Sequence, residues 1–103
     1  MSEFSMIVTL SVVPEAKDAV RAALQKLVPL TQEEAGCLQY DCHEVDPDGF
    51  PGVANTGGDF VMLEAWRDAA AHQSHGVSAH FQEFITAFSK DELQLSVQLL
   101  KNA

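Results

Sequence analysis

The segment from Phe60 to Phe81 constrains the fold most strongly, because it joins one short strand directly to two short helices. Side chains alternate between the two faces of a strand. One face of this strand is therefore predicted to carry Phe60, Met62, Glu64 and Trp66. Asp68 is a suitable N-cap for a helix that reaches about His75 and ends at Gly76. A strand end beside a helix start is a common place for a small-molecule pocket, so this segment is predicted to line one.

A strand and a longer helix are predicted ahead of this segment. Residues Met6–Val13 form a short, apolar and β-branched run, which is typical of a strand. Pro14 suits the first turn of the helix that follows. The buried stripe of that helix is predicted to contain Ala16, Val20, Ala23, Leu24 and Leu27. Pro29 lacks an amide hydrogen and clashes with the preceding turn, which predicts a kink or break near Val28 and a short helical turn up to Glu34.

A second strand is predicted at Cys37–Val45, directly after Gly36, which is a typical helix-ending residue. Its alternation assigns one face to Leu38, Tyr40, Cys42 and Glu44. The odd offset between Cys37 and Cys42 predicts that the two thiols point to opposite faces and form no disulfide.

Residues 46–59 are predicted to form a loop, because this stretch contains four glycines and two prolines. The loop is long for a connection between neighbouring strands. One interpretation is a flexible excursion. The other is a lid or an arm that contacts a dimer partner, since Phe50 and Val53 would be poorly placed in water.

The C-terminal part of the chain is predicted to contain one more amphipathic helix and a fourth strand. The helix begins at Ser78 as N-cap, and its apolar stripe consists of Phe81, Phe84, Ile85 and Phe88. The strand covers about Glu92–Leu100 and alternates Leu93, Leu95, Val97 and Leu99 with polar residues. The resulting order, β-α-β-β-α-β, predicts a ferredoxin-like α+β fold with a four-stranded antiparallel sheet and both helical segments on one face. The other face is also apolar, which predicts a homodimer that packs sheet against sheet.

Length and charge limit the possible functions. The 103 residues are predicted to form one domain, 1–103, and the net charge of −9 argues against nucleic acid or an anionic membrane surface as a partner. The chain contains no run of 18 apolar residues, and its first residues do not resemble a secretory signal. Two unpaired cysteines favour a reducing cytoplasm. A small molecule is therefore the expected binding partner.

Three short motifs occur in a fixed order along the chain. They are E-x-G-C-x-x-Y at Glu34, Gly36, Cys37 and Tyr40, then F-x-x-x-E-x-W at Phe60, Glu64 and Trp66, then W-x8-H-x4-H-F, which ends at His75, His80 and Phe81. Together with the order of elements over residues 6–100, they resemble the antibiotic biosynthesis monooxygenase (ABM) domain family of the dimeric α+β barrel superfamily. Its members include cofactor-independent quinol monooxygenases, haem-degrading oxygenases and an isomerase. The resemblance implies a dimeric α+β barrel and, for this chain, a monooxygenase that needs no cofactor.

The candidate site combines these motif residues. His75 is the predicted general base, because a neutral histidine in a dry pocket can accept a proton near pH 7. Glu64 is predicted to orient that histidine or His80, and Trp66 to offer a wall for a flat aromatic substrate. The remaining predicted substrate-binding residues are His72, His80, Tyr40 and Met62. Met62 and His72 stand where some oxygenases of the family have Asn and Tyr.

Other functions remain open from the sequence. The same histidine and glutamate could shuttle protons in an isomerase of a small hydroxyketone, or the chain could be a non-catalytic dimeric binding module with structural histidines. A metal site built from His72, His75 and His80 with Glu64 or Glu83 is a weaker alternative, because no second zinc-type motif accompanies it. The sequence therefore predicts no metal and no cofactor.

Overall fold

The computed structural model describes residues 2–103, which fold into a four-stranded antiparallel sheet with helices on one face. Its elements are β1 (Phe4–Val12), α1 (Lys17–Gln32), β2 (Cys37–Glu44), β3 (Phe60–Trp66), α2 (Ala69–Gly76), α3 (Ala79–Thr86) and β4 (Leu93–Leu100). The strand order is β2-β3-β1-β4, and α2 and α3 together occupy the second helical position. The predicted ferredoxin-like α+β fold is therefore confirmed.

The core lies between the helices and one face of the sheet. The predicted face of β3 is buried along its whole length, with Phe60, Met62, Glu64 and Trp66 all at most 6% exposed. In the register of the sheet, Met6 of β1 and Tyr40 of β2 lie on either side of Glu64. Leu24 and Leu27 of α1 complete this core from the helical layer. Glu64 is consequently a carboxyl group in the centre of an apolar layer.

The helix α1 continues through Pro29, so of the predicted kink or break near Val28, a break does not occur. A 3-10 turn at Pro14–Ala16 leads into it, and it then runs without interruption to Gln32. Proline removes the hydrogen bond to the carbonyl four residues earlier, here that of Gln25, which lies on the exposed side where water can replace the missing donor. Pro29 also falls in the last turn, where few hydrogen bonds remain to be lost.

A register shift between Cys37 and Gln39 changes the predicted faces of β2. Cys37 pairs with Trp66 and Cys42 with Met62, so both cysteines lie on the helix-facing side of the sheet instead of on opposite faces. The extra residue also turns Leu38 outwards, where it is 52% exposed. Both cysteines are free thiols, as expected.

The outer strand and the long loop leave apolar side chains exposed. Leu95, Val97 and Leu99 of β4 point to the helix-facing side but are 39%, 56% and 70% exposed. In the loop, Phe50 and Val53 form an isolated bridge and are also exposed. Within residues 2–103, no helix is both long and apolar enough to cross a membrane.

The turn between α1 and β2 requires glycine at position 36. Gly36 has a φ of +82°, and a Cβ there would lie 2.6 Å from the Cβ of Ala71 in α2. We expect Gly36→Ala to lower the free energy of unfolding by about 2–4 kcal/mol, because backbone strain and a steric clash add together. Gly52→Ala is the matched control, since Gly52 has a φ of +86° but no atom within 4 Å of its added Cβ. Urea unfolding of both variants measures the difference, and equal losses would contradict the clash.

Candidate active site

A cavity of about 210 Å³ lies between the sheet and the helices. Most of its wall is apolar and comes from every layer of the core: Met6, Val8, Leu10, Leu24, Leu27, Met62, Phe81, Phe84, Leu95 and Val97. Its polar lining groups are Tyr40, Glu64, His72 and His75. A few convergent polar groups in an apolar cavity are typical of a small-molecule site. Five of the seven residues predicted for the site therefore line one cavity, namely Tyr40, Met62, Glu64, His72 and His75.

His75 is held by a carboxylate at the cavity wall. It lies near the end of α2 and is 3% exposed, and its Nδ1 is 2.8 Å from Oε2 of Glu34, in the turn after α1. With Glu34 ionised, Nδ1 carries the proton and donates it to this oxygen. The Nε2 atom then has a free lone pair and has no hydrogen-bond partner among residues 2–103. A histidine in this protonation state can accept a proton at Nε2.

Glu34, and not Glu64, is the carboxylate that orients the histidines. His80 at the start of α3 contributes its Nε2, which is 2.6 Å from the same Oε2 of Glu34. His80, which was also predicted to bind substrate, is not among the residues that line the central cavity. It instead contacts Glu34 beside His75, because the Ser78 cap turns the chain between α2 and α3 at this point. Two ring N–H groups thus fix the position of one carboxylate oxygen.

Glu64 is engaged by Trp66 instead. The indole Nε1–H of Trp66 donates to Oε1 of Glu64 at 3.0 Å, and both side chains are buried. The two residues lie two apart on one strand face, so they are neighbours by local geometry. Burial raises the pKa of Glu64 above its ordinary value, the Trp66 hydrogen bond opposes this effect, and the charge of Glu34 adds to it. The carboxyl group is therefore shifted towards its neutral form, in which it can donate a hydrogen bond.

Trp66, predicted to be a stacking wall for the substrate, lies behind the cavity and is not among the residues that line it. The indole is completely buried, and three lining rings pack against it. Ring centroids of His75, His72 and Tyr40 lie 5.0, 5.5 and 6.2 Å from that of Trp66. Trp66 therefore supports the rings of Tyr40, His72 and His75, and these rings line the cavity.

Two further lining groups are shifted towards their neutral forms. Burial, followed by the charge of Glu64, raises the pKa of Tyr40, so its phenol is kept as a hydrogen-bond donor. Burial, followed by the nearby His75, lowers the pKa of His72. The pKa shifts of Tyr40, Glu64 and His72 therefore all favour the neutral forms of these side chains.

The metal-ligand set differs from the one weighed in the sequence. Glu34, His75 and His80 offer ligand atoms that all lie within 4.8 Å of one another. Glu64 bonds to Trp66, and Glu83 forms an exposed ion pair with Lys26 at 2.9 Å. Neither of these glutamates belongs to the cluster, so Glu34 is the acidic group at this point.

Fold and site together define a class: a ferredoxin-like α+β protein with a small, largely apolar cavity and a carboxylate-supported histidine in its wall. The model of the ABM family, described as antibiotic biosynthesis monooxygenase, matches residues 3–87. The chain therefore belongs to the ABM family, as the sequence motifs predicted.

Individual relatives agree with this assignment. The chain is 40% identical over 76 residues to "Putative monooxygenase YcnE" of Bacillus subtilis (strain 168), a match that spans 74% of this chain and 72% of YcnE. It is 31% identical over 71 residues to "Putative monooxygenase Rv0793" of Mycobacterium tuberculosis, spanning 69% of this chain and 61% of the relative. The solved structure of Rv0793 superposes with a TM-score of 0.81 at 27% identity and covers 99% of this chain and 96% of that one. The structure of PA3566 from Pseudomonas aeruginosa gives 0.80 at 28% identity, with 100% and 96% covered.

Proposed function

We propose that the protein is a monooxygenase that acts on a small phenol or quinol without a bound cofactor. The observation that carries this proposal is the Glu34–His75 pair at the wall of the apolar cavity, with Nε2 of His75 as the proton acceptor. An apolar cavity of about 150 Å³ suffices to bind benzene. A cavity of about 210 Å³ therefore suits a substituted ring.

In the proposed reaction, His75 removes the hydroxyl proton of a phenol, which gives an electron-rich phenolate. The ring carbon opposite the hydroxyl then reacts with molecular oxygen and loses its hydrogen. One oxygen atom stays on that carbon as the second carbonyl of a para-quinone, and the other leaves as water. The substrate supplies all four electrons, so phenol and oxygen give quinone and water with no other reductant.

The carboxylate of Glu34 assists the proton transfer in this proposal. An imidazole that accepts a proton becomes a cation, and a hydrogen-bonded carboxylate stabilises that cation and holds the ring in position. Tyr40 and the protonated form of Glu64 are the donors available to a phenolate oxygen, while Met62 and His72 line the ring pocket. The neutral forms of Tyr40 and His72 add no negative charge to the cavity, and burial also shifts Glu64 towards its neutral form. These effects favour formation of the substrate anion.

The proposal includes a homodimer in a reducing cytoplasm. The partly buried residues Ile7, Val61 and Leu63 form an apolar patch on the helix-free face of the sheet, which a second copy would cover. The family resemblance described above, which implies a dimeric α+β barrel, supports dimerisation of sheet against sheet. The two free thiols support the reducing compartment.

Oxygen uptake with a series of substituted phenols and hydroquinones tests the proposed function. We expect consumption of one oxygen molecule for each para-quinone formed from a phenol, with no added metal or flavin. Turnover of a hydroxyketone without oxygen uptake would favour the isomerase, and a protein that converts neither class would favour a binding module. Either result would contradict the proposal.

A further inference from the structure

We propose that Glu34, His75 and His80 form a binding site for a first-row divalent metal ion such as Zn²⁺. Two imidazole nitrogens and one carboxylate oxygen lie within 4.8 Å of one another, and this set of donors suits zinc. The three residues come from three neighbouring elements: the turn after α1, α2 and the start of α3. This site goes beyond the proposed oxygenation, which uses no metal.

The geometry is close to that of a three-residue zinc site. Zinc binds nitrogen and oxygen at about 2.0–2.1 Å in tetrahedral sites, which places neighbouring ligand atoms about 3.3 Å apart. The two nitrogens here lie 2.8 and 2.6 Å from Oε2 of Glu34. Entry of the ion therefore requires outward movements of roughly half an ångström, replacing two hydrogen bonds by metal bonds.

The surroundings permit both the movement and access of the ion. The side chain of His75 is fixed, at 3% exposure, whereas those of Glu34 and His80 are 15% and 22% exposed. The latter two can adjust, and water can occupy the fourth position. The net charge of −9 also attracts cations to the protein.

Metal binding would change the protonation of His75. An ion on Nδ1 moves the ring proton to Nε2, because a neutral imidazole carries one proton. The Nε2 atom would then donate towards the cavity and could no longer accept the substrate proton. The metal is consequently expected to inhibit turnover, a consequence that rests on the proposed role of His75 as a base.

Titration with ZnCl₂ in the absence of substrate tests the site independently of any activity. The full chain, first freed of metal, is expected to bind one equivalent of zinc in a calorimetric titration. Glu34→Gln and His80→Gln should each weaken binding at least roughly tenfold, because each removes a ligand. His43→Gln and Glu83→Gln are matched controls, since His43 is exposed on β2 and Glu83 pairs with Lys26. Both controls should bind as the unaltered chain does.

Two further measurements make the test decisive. Cobalt should give the visible absorption of a four-coordinate complex in the unaltered chain and lose it in Glu34→Gln. Far-UV circular dichroism verifies that each variant is folded before titration. Absence of stoichiometric zinc binding, or equal weakening in the control variants, would overturn the proposal. Zinc binding that does not inhibit turnover would leave the site intact and instead contradict His75 as the base.

Discussion

Exchanging His75 for glutamine is expected to lower kcat/KM for a phenol substrate by about 10²–10⁴-fold, the usual contribution of a general base. Glutamine keeps a polar side chain of similar length but cannot accept a proton near neutral pH. Because the variant loses proton transfer but not the apolar contacts that bind the substrate, the decrease should appear mainly in kcat. Steady-state oxygen uptake at several substrate concentrations separates the two constants.

Glu34→Gln should produce part of the same loss while leaving His75 in place. An amide can still contact Nδ1, but it cannot stabilise the imidazolium ion that forms during proton transfer. Glu83→Gln is the matched control, because Glu83 is an exposed carboxylate on α3 that bonds only Lys26 among the described residues. If Glu34→Gln kept full kcat and an unchanged pH profile, the carboxylate–histidine pair would have no part in the reaction.

The fold could be predicted from the sequence because the patterns that indicate its helices and strands involve residues close together in the chain. Alternation along Phe60–Trp66, the Asp68 cap and the stripe of α1 each depend on residues close in the chain, and all three are present in the structure. A kink or break was predicted near Val28, and no break occurs because proline in a last helical turn costs little. The bulge after Cys37 left no local signal, since one unpaired residue changes the faces of β2 without changing its composition.

The site could be predicted only in part, because some of its contacts join residues that are far apart in the chain. His75, Glu64 and Trp66 were identified within one segment, but the partner of His75 lies 41 residues earlier in the chain. No spacing rule connects two such positions; only the packing of α2 against the turn after α1 brings them together. The signal that pointed to Glu34 was its place at the start of the E-x-G-C-x-x-Y motif. Glu64 was predicted to orient His75 or His80. It instead accepts a hydrogen bond from Trp66, which lies two residues away on the same strand face.

Trp66→Phe is expected to lower the free energy of unfolding by about 2–4 kcal/mol near neutral pH, because it combines lost packing with a lost hydrogen bond to a carboxyl group. The indole is completely buried and supports three other rings, so the smaller phenyl ring leaves a gap. Removal of Nε1–H also withdraws the donor that favours the ionised form of Glu64. The pKa of Glu64 in the folded protein should therefore rise further.

The pH dependence of the free energy of unfolding separates the packing contribution of Trp66 from the contribution of its hydrogen bond to Glu64. The folded-state pKa of Glu64 is raised from its ordinary value of 4.5, so the folded protein holds this proton more tightly than the unfolded chain. This group therefore makes the protein less stable as pH rises above that value. In Trp66→Phe the extra loss should be largest at neutral pH and shrink towards pH 4.5, where the carboxyl group is increasingly protonated in both states.

Glu64→Gln provides the control for this prediction, since its amide is neutral at every pH and can still accept a hydrogen bond from Trp66. Relative to the unaltered chain, Glu64→Gln should gain stability as pH rises. In the double variant with Trp66→Phe, the loss should combine packing with a hydrogen bond to a neutral amide, and it should be constant with pH. Urea unfolding of the four proteins at several pH values measures all of these differences. If the cost of Trp66→Phe stayed constant with pH while Glu64 was present, the hydrogen bond from Trp66 would have no influence on the ionisation of Glu64, which would contradict the prediction.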